Sequence, residues 1–385
     1  MKFSERINAV QPSLARHLFN LAKQFDDVID LTLGDPDLNT PENIKLAGCR
    51  AIMENKTKYS ANAGLAEARV ATARHVADVW GVPCNPDENL IITVGGMEAL
   101  YLALSCMVDN GDEVILFAPY YVNYVQMVKM CGGIPIIIDS YSATNGMAID
   151  EAQVRKSITD KTIAIIINTP SNPTGSVISR ADLEKIAKIA EEYDLTVISD
   201  EVYRTLIFDG KSHESILQFP QMQNRAVLID SLSKEYCMTG WRVGYAYAPK
   251  ELISNMVKMQ ENIAACTPVL SQYAMIEAYN NTNKNNRIVE EFQKRRDVLY
   301  ERLCEIPGLY CIKPQATFYL FLNIERTGMN AYDFACQLLE QERVAVVPGE
   351  TYGEKYAQYV RIAFTKGIPV LCRAVEKIRR FVTGL

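Results

Sequence analysis

Between Leu90 and Ala248 the chain alternates short, continuously apolar runs with stretches of helical period. No other feature constrains the fold as much. The runs are LIITV (Leu90–Val94), EVILF (Glu113–Phe117), IPIIID (Ile134–Asp139), TIAIIIN (Thr162–Asn168), LTVIS (Leu195–Ser199), AVLID (Ala226–Asp230) and RVGYAYA (Arg242–Ala248). Runs rich in β-branched residues, without polar alternation, suit strands covered on both faces. Between two of them, ADLEKIAKIAEEY (Ala181–Tyr193) sets Leu183, Ile186, Ala187 and Ala190 on one helical stripe, with Ser179 as a candidate cap. The pattern predicts an α/β fold around a mainly parallel, doubly wound, seven-stranded sheet.

Beyond this region the pattern breaks at a polar stretch, NNTNKNN (Asn280–Asn286), followed by a highly charged helical segment. TFYLFLN (Thr317–Asn323), VAVVPG, YVRIAF and an amphipathic helix from Pro369 then predict a second, smaller α/β lobe. The first forty residues hold a short strand and the turn-rich LTLGDPDLNTP, too little to fold alone, so they are expected to join that lobe. The expected division is a large domain, residues 42–280, and a small domain built from residues 1–41 and 281–385. A chain of 385 residues accommodates this at roughly 100–200 residues per domain.

Composition narrows the function classes. Lys+Arg 40 against Asp+Glu 46 leaves a net charge of −6, without the basic excess that nucleic-acid binding uses to neutralise phosphates. MKFSERINAV has no apolar core behind it, and no apolar run approaches the ~20 residues of a membrane span. The ten cysteines form no Cys-x-x-Cys pair and read as reduced thiols, so a cytoplasmic location is expected. His17, His75 and His213 lie in no zinc or hydrolase motif and read as surface or packing groups.

Ligands of an open parallel sheet bind beyond the carboxyl ends of its strands, which directs attention to the residues after each run. These are Gly95-Gly96-Met97, Pro119-Tyr120-Tyr121, Ser171-Asn172-Pro173-Thr174-Gly175, Asp200-Glu201-Val202-Tyr203 and Ser231-Leu232-Ser233-Lys234. A glycine pair opening a helix suits a tight turn, or a phosphate at the positive helix end. Arg242 alone suits a surface ion pair. Together with the hydroxyls of Ser231 and Ser233 and the glycines, it favours a phosphate dianion. Asp200 suits a helix cap, or a partner that keeps a ring nitrogen protonated. Lys234, among Leu232, Met238 and Trp241, suits a surface amine, or a desolvated one able to bond to a carbonyl carbon.

The segments LTLGDPDLNTP, KYSANAGLAEAR, TVGGMEAL, APYYVNY, NTPSNPTG, SDEVYRTL, SLSKEYCMTGWRVGY and YVRIAF, in this order, resemble the fold-type I, pyridoxal 5′-phosphate-dependent aminotransferases of class I and II over nearly the whole chain. The resemblance implies that Lys234 carries the cofactor as a Schiff base and later moves the substrate proton. It implies that Asp200 pairs with the pyridinium nitrogen, and that Asn172 and Tyr203 bond its phenolic oxygen. Ser231, Ser233, Arg242 and the amides around Gly95, Gly96 and Met97 would hold the phosphate, with Tyr121 stacked on the ring. Arg361 would clamp the substrate α-carboxylate, assisted by Gly34 and Asn172. Tyr59 would reach the phosphate of a neighbouring subunit, which implies a homodimer. The implied reaction is ping-pong exchange of an amino group between an L-amino acid and a 2-oxo acid, with no metal. Carbon–sulfur β-elimination or other Cα chemistry by the same constellation, decarboxylation or racemisation, is the alternative, and a non-catalytic cofactor-binding regulator a more distant one. Side-chain selectivity is expected to depend on Gln11–Arg16, on Asn262–Thr267 and on residues of the partner subunit.

Overall fold

A computed structural model describes residues 1–11, 14–281 and 286–385. Twelve strands matter for the site: β1 (Ile29–Asp30), β2 (Leu90–Thr93), β3 (Glu113–Ala118), β4 (Ile134–Asp139), β5 (Thr162–Asn168), β6 (Thr196–Asp200), β7 (Ala226–Ser231), β8 (Gly244–Tyr247), β9 (Tyr319–Asn323), β10 (Val344–Ala345), β11 (Val347–Pro348) and β12 (Tyr359–Ala363). All seven apolar runs enter one seven-stranded sheet, in the order β2-β8-β7-β6-β5-β3-β4. Neighbours from β7 through β4 pair in parallel, whereas β8 runs antiparallel to both β2 and β7.

Continuous apolarity is explained by packing on both faces. Ile115, Phe117, Ile165, Ile167, Val197 and Leu228 enter one core, and Val114, Leu116, Ile166, Ile198, Val227 and Ile229 enter another. Alternate residues of a strand point to opposite faces, so each run supplies both.

The helices that bear on the site are α1 (Ala66–Trp80), α2 (Gly95–Met107), α3 (Asn123–Met130), α4 (Arg180–Glu192), α5 (Leu232–Glu235), α6 (Asn286–Cys304) and α7 (Ile368–Thr383). Helix α4 buries the expected stripe, and the Ser179 hydroxyl accepts from the Asp182 amide as its cap. A third core collects Phe292 and Leu299 of α6, Leu320 of β9, Ile362 of β12 and Leu371 of α7. It is built around the three-stranded sheet β9-β12-β11. The N-terminal segment joins this part of the chain, because β1 pairs in parallel with β10. The polar stretch expected to interrupt the pattern, 280–286, lies mostly outside the described residues. Among the described residues no helix is long and apolar enough to cross a membrane.

Candidate active site

The carboxyl ends of β5, β6 and β7 open into a cavity of about 490 Å³, closed on its other side by residues of the β1 and β9–β12 region. Twelve of the fourteen residues to which the resemblance gives a role line it: Gly34, Gly96, Met97, Tyr121, Asn172, Asp200, Tyr203, Ser231, Ser233, Lys234, Arg242 and Arg361. Two do not. Gly95 is the chain neighbour of the lining Gly96, and Tyr59 is 88% exposed.

Lys234 sits in the single turn of α5, directly after β7. Its Nζ donates to the Gly34 carbonyl at 2.8 Å and lies 5.4 Å from the Phe318 ring and 5.9 Å from that of Tyr203. Burial pulls this amine down to about 8; the Asp35 charge opposes the fall, and Arg242 and Arg361 reinforce it. An amine in this range is partly free of its proton at neutral pH, which nucleophilic attack requires. Gly34 has to be glycine here, since a Cβ would lie 1.7 Å from the Tyr319 hydroxyl oxygen.

Asp200 ends β6. Its Oδ2 accepts from the Tyr124 hydroxyl at 2.6 Å, and its Oδ1 accepts from the Val202 amide at 3.3 Å. Burial lifts the carboxyl to about 6, against the pull of both hydrogen bonds, and the charges of Asp230 and Glu201 add to the rise. Asn168 joins Asp200 to the next strand end: its Nδ2 donates to the Asp200 carbonyl, and its Oδ1 accepts from the Asn172 amide at 2.8 Å. Burial also raises Tyr121, to about 12, and lifts Tyr203 well above the ordinary phenol range, so both phenols stay protonated.

One end of the cavity is rich in donors. The Ser231 hydroxyl meets that of Ser233 at 2.8 Å, and Arg242 donates to the carbonyls of Thr239 and Val94. Gly95 adopts φ +75°, and a Cβ there would stand 2.7 Å from Arg242 Nη2. A helix N-terminus, two hydroxyls and a guanidinium make a cradle that suits a phosphate dianion. At the other end, Arg361 of β12 donates to Asn172 Oδ1 at 3.0 Å and to the Thr32 carbonyl, 4.2 Å from the Tyr319 ring centroid. Among the described residues its buried Nε has no partner, an unused donor of the kind a carboxylate satisfies.

Tyr124 was legible only as a neighbour of Tyr121, and Thr32, Asn168, Tyr319 and Tyr352 were not singled out at all. Asn168 ends an apolar run, so the strand-end rule could have found it. The others carry no such mark. The Gln11–Arg16 segment, expected to tune selectivity, includes Pro12 and Ser13, which lie outside the described residues, as do the side chains of Ala15 and Arg16. Asn262–Thr267 does not line this cavity.

The geometry agrees with what the chain resembles. Residues 26–378 match the family model "Aminotransferase class I and II". The chain belongs to the class I and II aminotransferases. Over 99% of its length this aminotransferase is 37% identical to an aspartate aminotransferase of Pyrococcus abyssi, covering 98% of that protein. It is 35% identical to aromatic-amino-acid aminotransferase 2 of Thermococcus litoralis over 99% of this chain and 98% of the relative. The aspartate aminotransferase of Thermus thermophilus solved with maleate superposes with a TM-score of 0.93 at 34% identity, over 99% of each chain. The fold is that of the fold-type I pyridoxal phosphate enzymes, and pyridoxal 5′-phosphate is the cofactor. The donor-rich end, the buried Asp200 carboxyl and the desolvated Lys234 amine fit that group's phosphate, ring nitrogen and aldehyde.

Proposed function

We propose that this aminotransferase exchanges the amino group between an L-amino acid and a 2-oxo acid by a ping-pong cycle, with Lys234 as the amine that bonds to the cofactor's aldehyde carbon. The convergence of Lys234, Asp200 and Arg361 on one cavity carries the reading. Pyridoxal phosphate supplies an electron-poor ring that takes up the electrons of a breaking Cα–H bond.

The chain's own residues do the rest. Arg361 pairs with the substrate α-carboxylate through its fork of donors, with the Asn172 side chain and the Gly34 backbone beside it. Asp200, held by Tyr124, keeps the proton on the ring nitrogen. Asn172 and Tyr203 bond the phenolic oxygen, Tyr121 covers the ring face, and Ser231, Ser233, Arg242 and the backbone from Gly95 through Met97 hold the phosphate. Lys234, once its amine is free, takes the proton from the substrate Cα as general base.

The same reading makes residues 42–280 the large cofactor-binding domain and residues 1–41 with 281–385 the small one; the pairing of β1 with β10 supports the return of the N-terminal segment. The chain acts as a homodimer in the cytoplasm, with Tyr59 reaching the phosphate of its partner. Tyr59 is exposed and does not line its own cavity, which favours that role.

The test offers amino donors with 2-oxoglutarate or pyruvate and follows the new amino acid beside ammonia and thiol release. Exchange that needs the 2-oxo acid is the expected result. Ammonia or thiol release without it would point to β-elimination instead.

A further inference from the structure

Behind the cavity floor lies a buried ionic cluster that the mechanism does not use. Arg204 Nε donates to Asp230 Oδ2 at 2.8 Å, and its Nη2 meets both Glu235 Oε2 and His75 Nε2 at 2.7 Å. The side chains of Arg204 and Asp230 are 7% and 2% exposed, and that of Glu235 15%. The guanidinium lies 4.9 Å from the Trp80 ring, and the Tyr279 ring stacks on His75 at 4.0 Å. His75, Asp230 and Glu235 offer ligand atoms within 4.8 Å of one another, a spacing that would suit a metal ion. Arg204 reaches all three, so the cluster already holds its cation. Burial and the Arg204 charge keep His75 neutral, so its Nε2 accepts.

The cluster's place in the chain gives it a purpose. Arg204 follows Tyr203, Asp230 precedes Ser231, and Glu235 follows Lys234. Arg204, Asp230 and Glu235 are thus direct chain neighbours of cavity residues, while His75 ties them to α1, and consecutive Cα atoms are only about 3.8 Å apart. Asp230 Oδ1 also accepts from the Ser231 amide at 2.7 Å, and its Oδ2 accepts from the Tyr245 hydroxyl at 3.1 Å.

We propose that Arg204 is a positioning residue, fixing the turn of Tyr203, the end of β7 at Ser231 and the lysine-bearing helix α5 in one register. The inference rests on the roles proposed above for those residues. A planar fork reaches acceptors on β7, α5 and α1 at once, which a lysine cannot do. Removing it leaves two carboxylates facing each other in the interior, and they separate or take up protons. Either outcome moves Lys234 relative to Tyr203.

The test compares Arg204→Met and Arg204→Lys with the unsubstituted chain, each freed of cofactor and held well below its own melting temperature. Two quantities are read: the dissociation constant for pyridoxal phosphate, and the rate at which borohydride fixes it to the protein, with the labelled residue identified by peptide mass. Methionine is expected to weaken binding and slow fixation by about tenfold or more, and lysine to recover part of both losses. A folded Arg204→Met protein within about twofold of the unsubstituted chain in both overturns the proposal. Should methionine prevent folding, Glu235→Gln is read in the same way: a loss of about threefold or more supports the proposal, and no change overturns it. Label on Lys234 with indifference to Arg204 sinks this inference alone. Label on another residue of the unsubstituted chain sinks the Lys234 assignment, and this inference with it.

Discussion

The Tyr124 hydroxyl donates to Asp200 Oδ2 at 2.6 Å where both residues are buried, so a phenol from helix α3 stabilises the charge at the end of strand β6. Burial drives Asp200 up to about 6 despite this bond. Tyr124→Phe therefore raises the carboxyl further. A hydrogen bond to a charged group contributes about 1.5–3 kcal/mol, so cofactor affinity should fall about 10- to 100-fold at neutral pH. Titrations across pH should also show the midpoint for cofactor binding moved upward.

Asp200→Asn separates function from stability. The folded carboxyl titrates near 6, above its ordinary 3.8. Its contribution to stability is complete below the unfolded value and is lost as pH rises through about 6. Above that pH the cofactor-free protein carries a cost approaching about 3 kcal/mol, at 1.36 kcal/mol per pH unit. Asparagine removes the charge, so cofactor-free Asp200→Asn should be the more stable protein above pH 6 and lose this advantage below pH 4. Amino exchange should nevertheless collapse. Denaturant unfolding at several pH values checks the first part, and steady-state assays the second.

Cofactor capture should follow the Lys234 amine. With the amine pulled down to about 8, about a quarter of it is free at pH 7.5, against about one part in a thousand for an ordinary lysine. The rate of covalent capture by the cofactor-free protein should rise with pH and level off above a midpoint near 8. Stopped-flow mixing with pyridoxal phosphate measures this. A rate still climbing steeply at pH 10 would mean that the amine is not desolvated.

Arg361 should govern substrate affinity. Its buried Nε has no partner among the described residues, and its two remaining nitrogens are oriented by Asn172 and Thr32. Losing one side of a buried charge pair costs about 2–5 kcal/mol, so Arg361→Leu should raise KM for amino acid and 2-oxo acid alike by about thirtyfold or more. Arg361→Lys should fall between, since an ammonium lacks the fork. An unchanged KM in the leucine variant would remove Arg361 from the carboxylate site.

Much of this fold and site is legible in the amino-acid sequence. The seven runs could be placed in one sheet because each carries apolar side chains to both faces, and the strand-end rule then led to Asn172, Asp200 and Ser231. The reversal of β8 was not legible: an apolar run has no direction, and only its pairing with Ser231 through Leu228 and with Thr93 through Leu90 sets it antiparallel. Tyr124 sits in the first turn of an amphipathic helix, where a buried aromatic looks like any core residue. Thr32, Tyr319 and Tyr352 come to the cavity from distant stretches of chain, through packing that a linear pattern does not encode. Arg204 offered least of all, because an arginine after a turn tyrosine gives no sign that three elements close around it.

Lys234→Ala tests the central assignment most directly. Incubated with pyridoxal phosphate and treated with borohydride, the substituted protein should retain no covalently fixed cofactor, show no visible absorbance from the lysine-bound form, and lose nearly all amino exchange, while the unsubstituted chain shows all three. A Lys234→Ala protein that still fixes the cofactor at one residue and still exchanges amino groups would contradict the account.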